Sequence, residues 1–355
     1  MKKYSILLLA SQVPYSRGGA ELLLERLKSA FVALGHEVDI VSMPFSAEPK
    51  SSLIHQMLLW RNLSLEYVSG RKIDLVIPTK FPTYFVSHPN KVIWLIHQHR
   101  QAYELTGTRY GDFSTSDEDE SVRSAIMQGD KKVLSEAKAL FSISETVSRR
   151  VLDFHGLDST PLLPPLPWTR AYQEGEKGRY ILSVGRLCST KRTDLIVRSM
   201  PYLPDDISLK IVGLPDEPNY ETYLKSEIDK HHLSHRVELL GSVSEDDLIS
   251  LYANCFSVFY GPYDEDFGFV TYEAAKSRKP VVTTTDSGYV QEVIKKAESG
   301  IIVLPDPEKI AEAFRNLFSN EDEYTALQNN ASRVHTGEDW EGVARALLSG
   351  GGLIE

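Results

Sequence analysis

A chain of 355 residues is too long for one ordinary core and suits two domains. With 42% hydrophobic and 25% charged residues and no biased tract, it is not a disordered, collagen-like or coiled-coil chain. A net charge of −10 argues against a general nucleic-acid binder, and two cysteines, Cys188 and Cys255, exclude a disulfide framework and fit a reducing compartment.

No apolar run reaches the roughly 18 residues of a membrane span. The first run, residues 5–10, follows Lys2 and Lys3. It is shorter than the roughly 7–15 residues of a secretory signal and ends at Ser11-Gln12 with no small-residue cleavage site, so it reads as a first strand. Ser16-Arg17-Gly18-Gly19-Ala20-Glu21 then leads into a helix with Leu23, Leu27, Ala30, Phe31 and Leu34 on one stripe and Gly35 at its end. The paired glycines allow a tight turn, and the helix start offers N–H groups to an anion. A plain strand-to-helix connection fits these residues equally well. Gly-x-Gly-x-x-Gly does not occur there, so a nicotinamide enzyme loses support.

Further runs at residues 38–41, 75–77, 92–96 and 140–143 are almost continuously apolar, as strands buried on both faces of a parallel sheet should be. His97 follows the run at 92–96, with His99 and Arg100 beside it. A histidine at a parallel strand's carboxyl end stands where such sheets bind ligands, although a lone histidine is often structural. Residues 111–121, Gly-Asp-Phe-Ser-Thr-Ser-Asp-Glu-Asp-Glu-Ser, read as a mobile acidic surface loop, with a lid as the alternative.

Residues 161–170 contain four prolines and can form neither a helix nor a central strand. Glu174-Gly175-Glu176-Lys177-Gly178 follows, polar and flexible. A second series of runs then occupies 180–184, 209–212, 237–240, 258–260, 281–284 and 301–304. Given twice, the βαβα rhythm predicts two doubly wound sheets with a cleft between them: an N-terminal domain over 1–165, a linker over 166–179 and a C-terminal domain over 180–338. Charge divides at the same place. Residues 1–179 carry 22 Lys and Arg against 20 Asp and Glu, while residues 180–355 carry 17 against 29.

Gly185-Arg186 ends the first strand of the second series, and Lys191 follows five positions later. A planar fork and a point charge at a strand's carboxyl end suit a diphosphate, unless both are merely solvated. Residues 261–275 are the most informative. Phe267-Gly268-Phe269-Val270 reads as a tight turn into a helix whose first N–H groups can hold a phosphate or a sugar hydroxyl. Glu265 and Glu273, eight apart, can each accept paired hydrogen bonds from vicinal hydroxyls; alternatively one caps the helix and the other is exposed. Asp264-Glu265-Asp266 does not read as a metal site, because adjacent carboxylates point apart.

Taken in order, Gly18-Gly19-Ala20-Glu21, Ser144-Glu145-Thr146, Gly185-Arg186 with Lys191, Gly213, Leu240-Gly241-Ser242-Val243 and above all Glu265-x7-Glu273 resemble the retaining glycosyltransferases of family 4, the glycosyl transferases group 1. The resemblance covers nearly the whole chain. Asp266 departs from it, standing where the family commonly has glycine. It implies the α/β GT-B architecture: two Rossmann-like parallel-sheet domains facing a central cleft, acceptor side first and nucleotide-sugar side second. A helix over 339–355, from about Trp340, would pack back on the first domain.

The resemblance also implies roles. Glu273 would hold the ribose, Arg186 and Lys191 the diphosphate, and Glu265 with Gly268 and Phe269 the sugar. Val243 would lie near the base, and Gly19 and His97 would face the donor sugar and the acceptor. Arg186, Lys191, Glu265 and His97 are therefore the catalytic candidates, and Gly18, Gly19, Gly185, Val243, Phe267, Gly268, Phe269, Val270 and Glu273 the donor-binding ones. The implied reaction moves a sugar with retention from a UDP- or GDP-sugar to a hydroxyl of a glycan or lipid-linked acceptor, in surface polysaccharide or glycolipid synthesis. No metal or other cofactor is expected, and the departing phosphate takes the acceptor's proton. The expected location is cytoplasmic, at the inner membrane face, where Lys131-Lys132 and Arg149-Arg150 would be weakly drawn to anionic lipid. A sugar-nucleotide epimerase or a phosphorylase of the same shape, or a non-catalytic nucleotide-sugar-binding module, are the alternatives. The epimerase needs further acid–base groups and the phosphorylase a lysine placed for pyridoxal phosphate, while intact Glu265, Glu273, Arg186 and Lys191 count against the module.

Overall fold

The computed structural model describes residues 2–14, 18–167, 172–335 and 337–354. Ser16, Arg17 and the linker segment 168–170 lie outside these residues. The chain forms two units, residues 1–167 with 336–355, and residues 168–335.

Every apolar run of the first series is a strand. The unit opens with β1 (Ser5–Gln12), α1 (Gly19–Ala33), β2 (Glu37–Pro44) and α2 (Ser51–Arg61). An exposed hairpin, β3 (Tyr67–Val68) and β4 (Arg71–Lys72), leads to β5 (Leu75–Pro78), β6 (Val92–Leu95), α3 (Asp117–Leu134), β7 (Ala139–Ser142), α4 (Glu145–His155) and β8 (Thr160–Pro161). Two parallel sheets, β2-β1-β5 and β6-β7-β8, meet side by side through the parallel bridges Val76–Lys91 and Lys80–His97. The winding changes direction between β1 and β5, so a crevice opens beyond their carboxyl ends.

The acidic segment 111–121 is not wholly a loop. Residues 117–121 are the first turn of α3: the Ser116 side chain caps it by accepting the Asp119 N–H at 3.2 Å, and four acidic residues face the helix's positive end. Polarity alone suggested a loop because it ignored this cap.

In the second unit the strands are β9 (Tyr180–Val184), β10 (Ser208–Val212), β11 (Val237–Gly241), β12 (Ser257–Phe259), β13 (Val281–Thr284) and β14 (Gly300–Val303). They form one parallel sheet in the order β11-β10-β9-β12-β13-β14, the doubly wound order of dinucleotide-binding folds. The helices are α5 (Thr193–Ser199), α6 (Tyr220–Lys230), α7 (Glu245–Asn254), α8 (Phe269–Lys276), α9 (Tyr289–Ala297), α10 (Pro307–Ser319) and α11 (Glu321–Asn330). Alternate strand residues fill two cores. Ile181, Leu209 and Val282 pack with Leu195, Leu224 and Phe314 on one face, and Leu182, Val258 and Val281 pack with Tyr252, Ala274 and Ile294 on the other.

The chain then returns to the first unit as α12 (Trp340–Gly350), which packs on α1 and β6. Trp340 meets Trp94 edge-on at 6.5 Å and donates its indole N–H to the Leu166 carbonyl at 3.3 Å. Among the described residues, no helix is long and apolar enough to cross a membrane.

Candidate active site

In the second unit the strand order reverses between β9 and β12, and the loops beyond their carboxyl ends bring the charged candidates together. Gly185 ends β9. A Cβ on neighbouring Gly213 would stand 1.8 Å from the Gly185 carbonyl oxygen, so the two strand ends pass at a distance that only glycine permits. Arg186, half-exposed, forms an ion pair with Asp216. One turn later Ser189 donates its N–H and O–H to Glu217, at 2.9 and 2.7 Å, which anchors the turn that carries Lys191.

The Lys191 ammonium donates to Glu265 Oε2 at 2.6 Å and to the Tyr260 hydroxyl at 3.3 Å, joining the β9 loop to the β12 loop. Burial, with Glu265 and Glu273 nearby, pushes the Tyr260 phenol well above its ordinary range, so it stays protonated. The next residue, Arg192, does something else. It sits in the left-handed region at φ +53°, is 2% exposed, and grips the Gly261 and Pro262 carbonyls, Thr284 and both oxygens of Asp286 at 2.7–2.9 Å. Burial alone would raise the Asp286 carboxyl, but Arg192 holds it below its ordinary value.

The loop bearing Glu265 is docked on the β13 loop by its backbone. Asp264 and Glu265 donate N–H groups to the Asp286 and Ser287 carbonyls at 2.8 and 3.3 Å, and Tyr289, the first residue of α9, donates to the Glu265 carbonyl at 2.9 Å. Gly268, at φ +82°, turns the chain into α8, and a Cβ there would lie 3.6 Å from Glu265 Cγ. The starts of α8 and α9 thus both adjoin the Glu265 loop, and the N–H groups that a helix start leaves unbonded favour an anion.

Not every donor-binding candidate can act through its side chain. Phe267 is buried in a stack with Tyr272 at 4.7 Å and Tyr289 at 5.9 Å, and Val270 belongs to the core beneath α8. Any contact they make with a ligand is through their backbone. Phe269 is only partly buried, and Val243 follows the turn after β11, packed partly against the same core. Glu273 is 3% exposed and accepts from the Tyr252 hydroxyl at 2.6 Å, so it is neither a cap nor a solvated side chain.

His97, Gly18 and Gly19 belong to the first unit. His97 lies at the end of β6, partly buried, with Nδ1 2.8 Å from the Gln98 carbonyl. Gly18 starts α1 and donates its N–H to Glu21 at 2.8 Å, while Lys80, beyond β5, reaches the same carboxylate at 3.2 Å. His99 is a packing residue: burial, with His97 and Lys50 nearby, drops its pKa to about 3. The basic pair Arg149-Arg150 is corrected in part. Arg150 is 8% exposed and pairs with Glu104 at 3.2 Å, because a guanidinium on the inner face of α4 needs a carboxylate.

Asp216, Arg192, Tyr252 and Gly288 escaped the reading of the sequence. Only Gly288 carried a local signal, a glycine between the run at 281–284 and a helical stripe. The others depend on partners 21–94 positions away.

A doubly wound domain with cations beyond one central strand and carboxylates beyond its neighbour defines a protein that handles an anionic, hydroxyl-rich small molecule. Residues 167–334, nearly the whole of the second unit, match the family of glycosyl transferases group 1, and the chain is a glycosyltransferase. It is similar to an uncharacterized glycosyltransferase of Methanocaldococcus jannaschii, 23% identical over 370 residues, covering 94% of this chain and 93% of the relative. Sucrose-phosphate synthase from Thermosynechococcus elongatus shares the fold with a TM-score of 0.77 at 18% identity, over 98% of both chains. Anabaena HepE in complex with UDP and glucose shares it with a TM-score of 0.71 at 16% identity, over 96% of this chain and 98% of that one. The fold is GT-B.

Proposed function

We propose that the chain transfers a sugar, with retention of configuration, from a UDP- or GDP-sugar to a hydroxyl of a glycan or lipid-linked acceptor, in the synthesis of a surface polysaccharide or glycolipid. The observation that carries this reading is the Lys191–Glu265 pair, 2.6 Å apart beside two helix starts at the strand-order reversal.

Breaking the bond between sugar and phosphate leaves negative charge on the nucleoside diphosphate. Fixed cations and helix N–H groups that meet this charge lower the barrier, because they need no reorganisation during reaction. Arg186 and Lys191 take that part, so the reaction runs without a divalent metal. Asp216 and Glu265 hold the two cations in place, and Glu265 also accepts from a sugar hydroxyl. Gly268 and Phe269 offer backbone N–H groups to the sugar, Val243 borders the base, and Glu273 takes the ribose diol. The departing phosphate accepts the proton of the attacking hydroxyl. Gly19 and His97 serve the donor sugar and the acceptor. The complex of the Anabaena relative with UDP and glucose favours a nucleoside diphosphate hexose as donor. Contact with anionic lipid at the inner membrane face rests on Lys131 and Lys132, which are exposed.

The test incubates the full chain with UDP-, GDP- and ADP-sugars and glycan or lipid-linked acceptors, with and without EDTA. Release of nucleoside diphosphate that EDTA leaves unchanged is expected. Loss of release on adding EDTA would sink the metal-free route, and tight nucleotide binding with no release across the panel would point to a binding module.

A further inference from the structure

We propose that Tyr252 is a positioning residue of Glu273, and that its phenol sets how strongly the site prefers a ribonucleotide to the 2′-deoxy form. The proposal rests on the assignment of Glu273 to the ribose. Glu273 lies on α8 and Tyr252 on α7, and both are buried, at 3% and 0% exposed. The Tyr252 hydroxyl donates to Glu273 Oε2 at 2.6 Å, the length of a charge-assisted bond.

The ring itself has little freedom. It packs among Leu182, Val258 and Ile294, and Tyr172 meets it edge-on with centroids 5.6 Å apart. The hydroxyl is therefore delivered to one point. The last torsion of a glutamate is broad, and a donor fixed on one oxygen sets the plane of the carboxylate. A vicinal diol needs that plane, because its two O–H groups must meet the carboxylate at once. Tyr252→Phe keeps the ring and its packing and removes only the donor.

Tyr324 supplies a matched control. It is buried in the same unit, in the core on the other face of the sheet, and donates to the Phe256 carbonyl at 2.8 Å. Tyr324→Phe removes a buried phenol bond as well, but one that does not reach Glu273.

The experiment measures, by calorimetry on the full chain, the Kd of UDP, GDP and their 2′-deoxy counterparts for wild type, Tyr252→Phe and Tyr324→Phe. Wild type is expected to prefer the ribose form of at least one base by about tenfold, the worth of one well-placed hydrogen bond. Tyr252→Phe should bind that ribonucleotide about tenfold more weakly and the deoxy form almost unchanged, so the preference collapses. Tyr324→Phe should keep it. If Tyr252→Phe weakens both forms equally, the tyrosine is merely structural and the proposal is overturned while the ribose assignment stands. If wild type shows no ribose preference, or binds neither base, the assignment of Glu273 fails and the proposal falls with it.

Discussion

Glu265 owes its place to a residue with no side chain. Gly288 turns at φ +60°, and a Cβ there would stand 2.5 Å from the carbonyl oxygen of Glu265 and 2.6 Å from its amide nitrogen. Neither backbone atom can yield cheaply, so Gly288→Ala combines left-handed strain with a clash at the loop that carries Glu265. A stability loss of about 1–3 kcal/mol is expected, together with a fall in turnover of about 100-fold as the Lys191–Glu265 pair opens. Thermal unfolding and donor turnover check the two parts, and unchanged turnover in a folded variant would contradict the docking role. The two carboxylates separate differently. Glu273→Ala should weaken nucleoside diphosphate binding by about tenfold or more, whereas Glu265→Ala should chiefly lower turnover. Equal losses of affinity by calorimetry would contradict the assigned roles. Both glutamates were legible because they share one short segment with a turn and a helix start. Arg192 was not, because a left-handed backbone and a buried fork are set by partners up to 94 positions away.

Helix α3 shows what an element can hide. The Ser116 cap makes it begin at Asp117, and near its end Asp130 is completely buried. The hydroxyls of Tyr84 and Tyr103 donate to one oxygen of Asp130, at 2.9 and 2.8 Å, tying α3 to the loops that follow β5 and β6. Burial raises the Asp130 pKa to about 7 despite those donors. The folded protein therefore binds this proton more tightly than the unfolded chain does. The contribution to stability is full below the ordinary carboxylate range and is lost as pH rises through about 7. The size of that loss is on the order of 4 kcal/mol at most. Asp130→Asn should remove this dependence, so that chemical denaturation at pH 5 and pH 8 differs less for the variant than for wild type. An equal difference in both proteins would mean that another group titrates.

At the scale of the molecule, two doubly wound units were readable because parallel strands buried on both faces give short unbroken apolar runs, and all eleven runs are strands. The edge strand β8 was not, since Thr160-Pro161 carries no such run, and the exposed hairpin of β3 and β4 has no buried face to leave a pattern. The return of the chain to its first unit is a matter of packing. Val343, Ala344, Leu347 and Leu348 are all buried on α12, Gly350 approaches Phe141 and Ala139 of β7, and the Tyr4 hydroxyl bonds the Leu353 carbonyl at 2.7 Å. The first unit thus completes its core with residues that come after the whole of the second. Leu347, 0% exposed, is the place to test that division. Leu347→Ala leaves a cavity in the first unit and should cost about 2–5 kcal/mol. Nucleoside diphosphate affinity should stay within about twofold below the unfolding transition, because additivity holds for sites without shared partners. Hydrogen exchange should show the lost protection in α1, β6 and α12, with the helices of the second unit unchanged. If Leu347→Ala weakens nucleotide binding as much as Glu273→Ala does, α12 supports the donor site as well as the first core, and the two units do not act independently.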